Sequence, residues 1–312
     1  FRRVLFRSPS EAYQRITSNI SQRFGDRFLV LLQENWTGKP FFALVPNFQK
    51  SVNTEEPPTP IADSTGSVDR FYRPGLALAL LLITFFTTTF VGTIFAGVPL
   101  DSLADLGDRP ALLMQGLPYS LSLMLILGSH ELGHVLAARR YGIATTLPYF
   151  IPIPTFLGTF GAFSQIKAPI PHRRALFDIS FAGPAASAIL TLPLLWWGLS
   201  RSQIIPLSED SSLMNFQSLN PWNSVILTVI SRLALGSSLT PESALSLHPV
   251  AIAAYIGLII TALNLMPVGQ LDGGHIVHAI FGQRTGAIVG QMARLFMLLL
   301  SLRQPDLLLW RS

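Results

Sequence analysis

Cysteine is absent from the 312 residues, which removes disulfides, thiolate metal sites and cysteine nucleophiles from consideration. Charge is scarce too. Asp, Glu, Lys and Arg make up 12% of the chain, against about 25% in an ordinary soluble domain. Hydrophobic residues account for 49%, and the mean hydropathy is +0.45. Few charges and an apolar excess together indicate a membrane protein. The net charge of +5 does not imply a nucleic-acid partner, because the basic residues sit at the ends of apolar runs and form no stripe or arm. The chain opens on Phe1, which reads as a fragment or processed form incomplete at its start. No leader-like apolar stretch precedes residue 75.

Residues 1–50 mix polar and apolar positions. They predict a small soluble α+β domain: a helix near 10–24, a strand Phe28–Gln33, a turn Thr37–Pro40 and a second strand Phe41–Val45. Residues 51–70, rich in Pro, Thr, Ser and acids, read as a linker. Residues 71–312 form the membrane part. Gly75–Val98 holds no charge and is long enough to cross a hydrocarbon core of roughly 30 Å. Further runs are Pro110–Ala138, Ile179–Ser200 and Pro249–Leu271. Ser224–Leu235 is too short to cross and reads as an interfacial helix; a last run, Gly286–Leu302, contains Arg294. Residues 139–174 carry Arg139, Arg140, Lys167, Arg173 and Arg174 without an acid, while 99–109 carry Asp101, Asp105 and Asp108 against Arg109. The positive-inside rule places the 139–174 loop in the cytoplasm or its equivalent. Counting spans brings the N-terminal residues and Asp272 to the same face.

The second run contains Gly128-Ser129-His130-Glu131-Leu132-Gly133-His134, an H-E-x-x-H motif. On a helix, positions i and i+4 share a face, so His130 and His134 can bind one Zn²⁺, with Glu131 beside them as general base. On a soluble helix such a trio is often only a solvated face. Within an apolar run ionisable groups are costly and by default functional. Catalytic zinc takes three protein ligands and leaves one position open. The third candidate is Asp272 in Asn264-Leu-Met-Pro-Val-Gly-Gln-Leu-Asp272-Gly-Gly-His275. Pro267 and Gly269 break the end of that run, and Gly273 and Gly274 allow close backbone approach. The alternative reading of Asp272 is a helix cap, and His275 is the rival ligand; Asp272 is the favoured one. Asn264 is either a substrate contact or an interhelical hydrogen bond. His278 reads as an ordinary helix-face residue, His172 and His248 as loop residues. Gly183 and Pro184 read as packing elements.

HELGH in one run and LDGG after a later one resemble the site-2 protease family of intramembrane metalloproteases. The segments Gly158-Thr-Phe-Gly161 and Phe181-Ala-Gly183-Pro184 between them are similar to its cyanobacterial and chloroplast branch. The resemblance covers about residues 70–302. It implies a mainly α fold, a polytopic transmembrane helical protease core. It implies one zinc per chain held by His130, His134 and Asp272, with Glu131 as base and Asn264 holding substrate backbone. It also implies a multi-pass protein of a cyanobacterial plasma or thylakoid membrane, or of a chloroplast membrane, that cuts single-span membrane proteins. Gln270 departs from the pattern, many relatives having proline nearer the aspartate. No inserted domain of PDZ size is visible. A zinc transporter or channel, or a non-catalytic chaperone on the same fold, is the competing reading. The ionisable residues gather at one depth and show no inverted repeat, which disfavours transport. Finally, Leu147–Lys167, with Pro148, Pro152 and Pro154, predicts a hairpin at the membrane face beside HELGH, whose edge either accepts an extended substrate or has no substrate role.

The lack of native cysteine makes the topology directly readable. Single-cysteine variants Ser64→Cys and Thr145→Cys are expected to react with an impermeant maleimide from one side of the membrane, and Ala104→Cys only from the other. Labelling of all three from one side contradicts the span count.

Overall fold

The computed structural model describes residues 9–34, 40–46, 74–99, 110–153, 157–166, 170, 172–208, 211–212 and 215–303. The N-terminal elements follow the sequence pattern. Helix α1 (Pro9–Phe24) precedes an antiparallel pair, β1 (Phe28–Glu34) and β2 (Pro40–Pro46), in register from Phe28↔Pro46 to Glu34↔Pro40. The expected turn tip and the 51–70 linker lie outside the described residues.

The rest is mostly helical. Among the described residues three helices are long and apolar enough to cross a membrane: α2 (Pro74–Phe95), α3 (Leu117–Arg140, entered through a 3-10 stretch from Pro110) and α4 (Arg173–Ser200). Helix α4 begins six residues earlier than its uncharged run, with the His172 ring accepting the Ala175 N–H at 3.0 Å as its cap. Pro184 and Pro193 lie inside it without ending it. Beyond α4 come β5 (Gln203–Pro206), α5 (Val225–Leu235), β6 (Ser243–Ser246), α6 (Pro249–Asn264) and α7 (Asp272–Arg303). Helix α5 turns Leu227 and Ser231 inward and leaves Val225, Ile226, Val229 and Leu233 exposed, the split expected of an interfacial helix. The β5–β6 pair was not foreseen.

The run 249–271 is not a single span. Helix α6 stops at Asn264 after 16 residues, about 24 Å of rise and short of a hydrocarbon core. Pro267 steers the residue before it away from helical backbone, and the chain folds into tight turns through Gly269 at φ +56°. Nine of the 16 residues of α6 are buried, as expected of a helix that is apolar all round. It crosses α3 and α4 closely. A Cβ on Gly257 would sit 2.8 Å from Ile126, and one on Gly198 2.5 Å from the Ala251 nitrogen. Small residues permit such approach where no hydrophobic gain drives helix association. Helix α7 breaks at Gly282 (φ 86°, ψ 174°) and doubles back. Gly286 lies against His278 and Gly290 against the Pro267 carbonyl, while the Arg294 guanidinium reaches Gly269. Arg294 thus lies on the 265–271 turn.

The hairpin β3 (Tyr149–Pro152) and β4 (Thr159–Phe163) is present, but it does not lie along the membrane face. The residues that lead into β4 are pinned deep between helices: the Thr87 hydroxyl donates to the Gly158 carbonyl at 2.6 Å and the Tyr119 hydroxyl to the Leu157 carbonyl at 2.9 Å. Tyr119 is 21 residues from Arg140 on α3, about 31 Å along the axis. The hairpin therefore re-enters the bundle. Strand backbone at this depth needs protein donors and acceptors, and Thr87, Tyr119 and Thr159 (to Ile151 O, 2.9 Å) supply them. Gly158 is required twice over, by φ +82° and by a Cβ position 2.6 Å from the Thr88 Cα.

Removing either pin, in Thr87→Val or Tyr119→Phe, is expected to cost about 1 kcal/mol and to speed amide exchange across 149–163 while leaving exchange in α4 unchanged. Unaltered exchange in the hairpin would show that other contacts hold it.

Candidate metal centre

Helix α3 is regular through Gly128–His134, so the i, i+4 spacing delivers both imidazoles to one face. Their rings meet edge-on with centroids 4.8 Å apart, and the Nε2 atoms are 3.1 Å apart. Asp272 arrives from the other end of the sequence as the first residue of α7. Its Oδ2 lies 3.2 Å from His130 Nε2 and 3.4 Å from His134 Nε2.

The turn after α6 delivers Asp272, and two glycines let it. A Cβ on Gly273 would be 2.0 Å from the Leu265 carbonyl oxygen, and one on Gly274 2.5 Å from that of Gly269. The close approach expected of this pair is what the backbone makes. His275, the rival ligand, is not part of the donor cluster formed by His130, His134 and Asp272 among the described residues. The Asn264 amide reaches the rim of the cluster, its Nδ2 3.5 Å from His130 Nε2. Glu131 is 6% exposed in the same helical turn. His172 and His248 are helix caps and not plain loop residues; His248 Nδ1 accepts the Val250 N–H at 3.3 Å.

These donors fit a tetrahedral zinc ion. Bonds of about 2.0–2.1 Å put neighbouring ligand atoms about 3.3 Å apart, and the three separations here are 3.1, 3.2 and 3.4 Å. Two ring nitrogens and a carboxylate oxygen aimed at one point suit a shared cation, since lone pairs this close otherwise repel. His134 and Asp272 keep partial exposure, so the cluster is open on one side.

Helix α4 backs the cluster. His134 Nδ1 is 2.8 Å from the Ile179 carbonyl. A carbonyl can only accept, so Nδ1 carries the hydrogen and Nε2 presents its lone pair. Gly183 does more than pack: a Cβ there would sit 2.2 Å from His134 Nε2. Gly133 makes the reciprocal approach, its Cβ position 2.4 Å from the Ala182 oxygen. His130 Nδ1 meets the Ser187 hydroxyl at 3.2 Å. Ser187 had no sequence signal of its own beyond standing one turn after Gly183–Pro184.

A family model, Peptidase family M50, matches residues 118–302, the stretch that holds HELGH, the α4 residues Ile179, Gly183 and Ser187, and Asp272. The chain belongs to peptidase family M50. This is the site-2 protease family anticipated from its two motifs. Its relatives include a protein described as probable zinc metalloprotease EGY2, chloroplastic, from Oryza sativa subsp. indica, 30% identical over 290 residues, or 91% of this chain and 48% of the relative. The Arabidopsis thaliana protein of that description is 33% identical over 282 residues, 89% of this chain and 46% of the relative. Probable zinc metalloprotease EGY1, chloroplastic, of Arabidopsis thaliana is 39% identical over 194 residues, 62% of this chain and 35% of the relative. The chain thus spans about half the length, or less, of these relatives. No solved structure matches it.

Gly183→Ala pushes a methyl into the His134 ring. It is expected to leave the helices intact and to lower bound metal at least tenfold, read by elemental analysis of protein purified in detergent. Full metal content in this variant would mean that the ring has room to turn away and still bind.

Proposed function

We propose that the protein is an intramembrane zinc metalloendopeptidase that hydrolyses peptide bonds within or near the transmembrane segments of membrane-protein substrates. The observation that carries this reading is the spacing of His130 Nε2, His134 Nε2 and Asp272 Oδ2, which fits one tetrahedral ion, beside a buried Glu131 on an apolar helix. The names of the metalloprotease relatives support it. His130, His134 and Asp272 hold one zinc per chain. The ion, when bound, supplies a Lewis acid for the scissile carbonyl and makes water acidic enough to be deprotonated near neutral pH.

The remaining steps belong to the chain's own side chains. Glu131 takes the proton of the attacking water as its oxygen bonds to the carbonyl carbon. It returns that proton to the departing nitrogen as the C–N bond breaks. A transmembrane helix must give up internal hydrogen bonds to expose such a carbonyl, and each freed group needs a partner at that depth. The Asn264 amide offers a donor and an acceptor at the rim of the cluster. The β4 strand, with Phe160 78% exposed, offers a further edge for an extended backbone. Single-span proteins of a photosynthetic membrane, chloroplast or cyanobacterial, are the substrate class that this reading favours, within regulated intramembrane proteolysis. The small α+β unit at residues 1–50 stands outside the bilayer, on the side where Arg139 and Arg140 emerge.

The test is purified protein assayed for zinc and for cleavage of a single-span reporter. Glu131→Gln is expected to keep one zinc and lose about 10²–10⁴-fold in rate; Asp272→Ala is expected to lose both zinc and activity. Zinc flux through liposomes without any cleavage would replace the protease reading with transport. Undiminished zinc in Asp272→Ala would remove the carboxylate from the ligand set.

A further inference from the structure

We propose that Ser187 and Thr261 are positioning residues that hold His130 in its metal-binding tautomer through a relay of three hydrogen bonds, His130 Nδ1–H to Ser187 Oγ, Ser187 O–H to Thr261 Oγ1, and Thr261 O–H to the Gly257 carbonyl. The inference rests on the proposed ligand set. The contacts measure 3.2, 3.1 and 2.8 Å. The Ser187 hydroxyl also donates toward the Pro184 carbonyl at 3.0 Å, so its single hydrogen is shared between that oxygen and Thr261 Oγ1. Ser187 is 1% exposed, Thr261 5% and His130 7%, so water does not stand in for a missing partner.

Counting hydrogens places one on His130 Nδ1, whichever acceptor takes that of Ser187. Each hydroxyl has one to give, and the two carbonyls can only accept. If His130 Nδ1 lacked a hydrogen, Ser187 would have to donate to it. Thr261 would then satisfy either Gly257 or Ser187, so two of the four contacts would be bare pairs of acceptors in a dry interior. With the hydrogen on Nδ1, three contacts become hydrogen bonds and every hydrogen is used. Thr261 reinforces this, because a helical threonine commonly gives its hydrogen to the carbonyl four residues back, here Gly257.

The consequence falls on the other ring nitrogen. With Nδ1 protonated, Nε2 turns a lone pair toward Asp272 Oδ2 at 3.2 Å and His134 Nε2 at 3.1 Å, an arrangement that calls for a cation between them. The Ile179 carbonyl does the same for His134. Ile179, Gly183 and Ser187 are four residues apart, one stripe of α4, and both rings are oriented from it. Thr261 extends the hold to α6, the helix whose end leads to Asp272.

The experiment measures zinc affinity of the full chain in detergent by chelator competition, together with the visible absorption of the Co²⁺-substituted protein and the melting temperature of the metal-free form. Ser187→Ala is expected to weaken zinc binding 10–100-fold with little change in the metal-free melt, and Ser187→Thr to restore it. Thr261→Val is expected to weaken binding about tenfold. The double variant should be no worse than Ser187→Ala, because links in series do not add. Wild-type affinity in Ser187→Ala, with affinity lost in His130→Ala, overturns the relay alone. Affinity retained in His130→Ala overturns the ligand assignment and the relay with it. Losses that multiply in the double variant, or that track the metal-free melt, reduce the two hydroxyls to packing. If Ser187→Ala does not fold, Thr261→Val reads the same relay through its second link.

Discussion

Everything around the donor cluster depends on how closely α3 and α4 approach. At Gly133 the backbone of one helix meets the Ala182 carbonyl of the other, and at Gly183 the imidazole of His134 occupies the space that a side chain would take. A methyl at Gly133 is incompatible with this distance, and one at Gly183 with the seat of the imidazole. Bringing the helices together puts the carbonyl of Ile179 and the hydroxyl of Ser187 within reach of the two rings. Lipid supplies no hydrogen bonds and little driving force for association, so small residues in contact and satisfied polar groups take over the part that hydrophobic burial plays in a soluble core.

Asp272 imposes the second condition. A carboxylate at membrane depth is costly unless paired, and here two rings face it. The chain delivers it through turns that only certain residues permit. Gly269 accepts a positive φ, Gly273 and Gly274 lie against carbonyl oxygens, and Pro267 ends the preceding helix. Arg294 rests on the same turn, so the far half of α7 supports the loop on which the acid depends.

The motif residues were legible in the sequence because their chemistry is local or expensive. His130 and His134 need only helical spacing, and an acid at membrane depth such as Asp272 demands a reason. The three long apolar helices and α5 were legible from run length and charge. Other features depend on contacts that no local pattern records. Helix α6 carries the same apolar composition as a full span, yet its short length follows from a proline and a tight turn. The depth of the β3–β4 hairpin is set by hydroxyls on Thr87 and Tyr119, far away in sequence. Strands β5 and β6 are four residues each and pair across an intervening helix, so neither shows alternation. Ser187 and Thr261 are ordinary small polar residues in apolar helices, and only their juxtaposition, 74 positions apart, reveals a role.

The order of the elements bears on how such a protein is made. His130 and His134 enter the membrane with α3, whereas Asp272 opens α7 and is braced by the segment that follows it. Between them the chain must insert α4, build the β5–β6 pair and seat α6. The donor cluster therefore cannot exist until α7 has been made. A chain emerging beside neighbouring helices, its own among them, carries only two of the three donors until α7 has folded back onto α3 and α4.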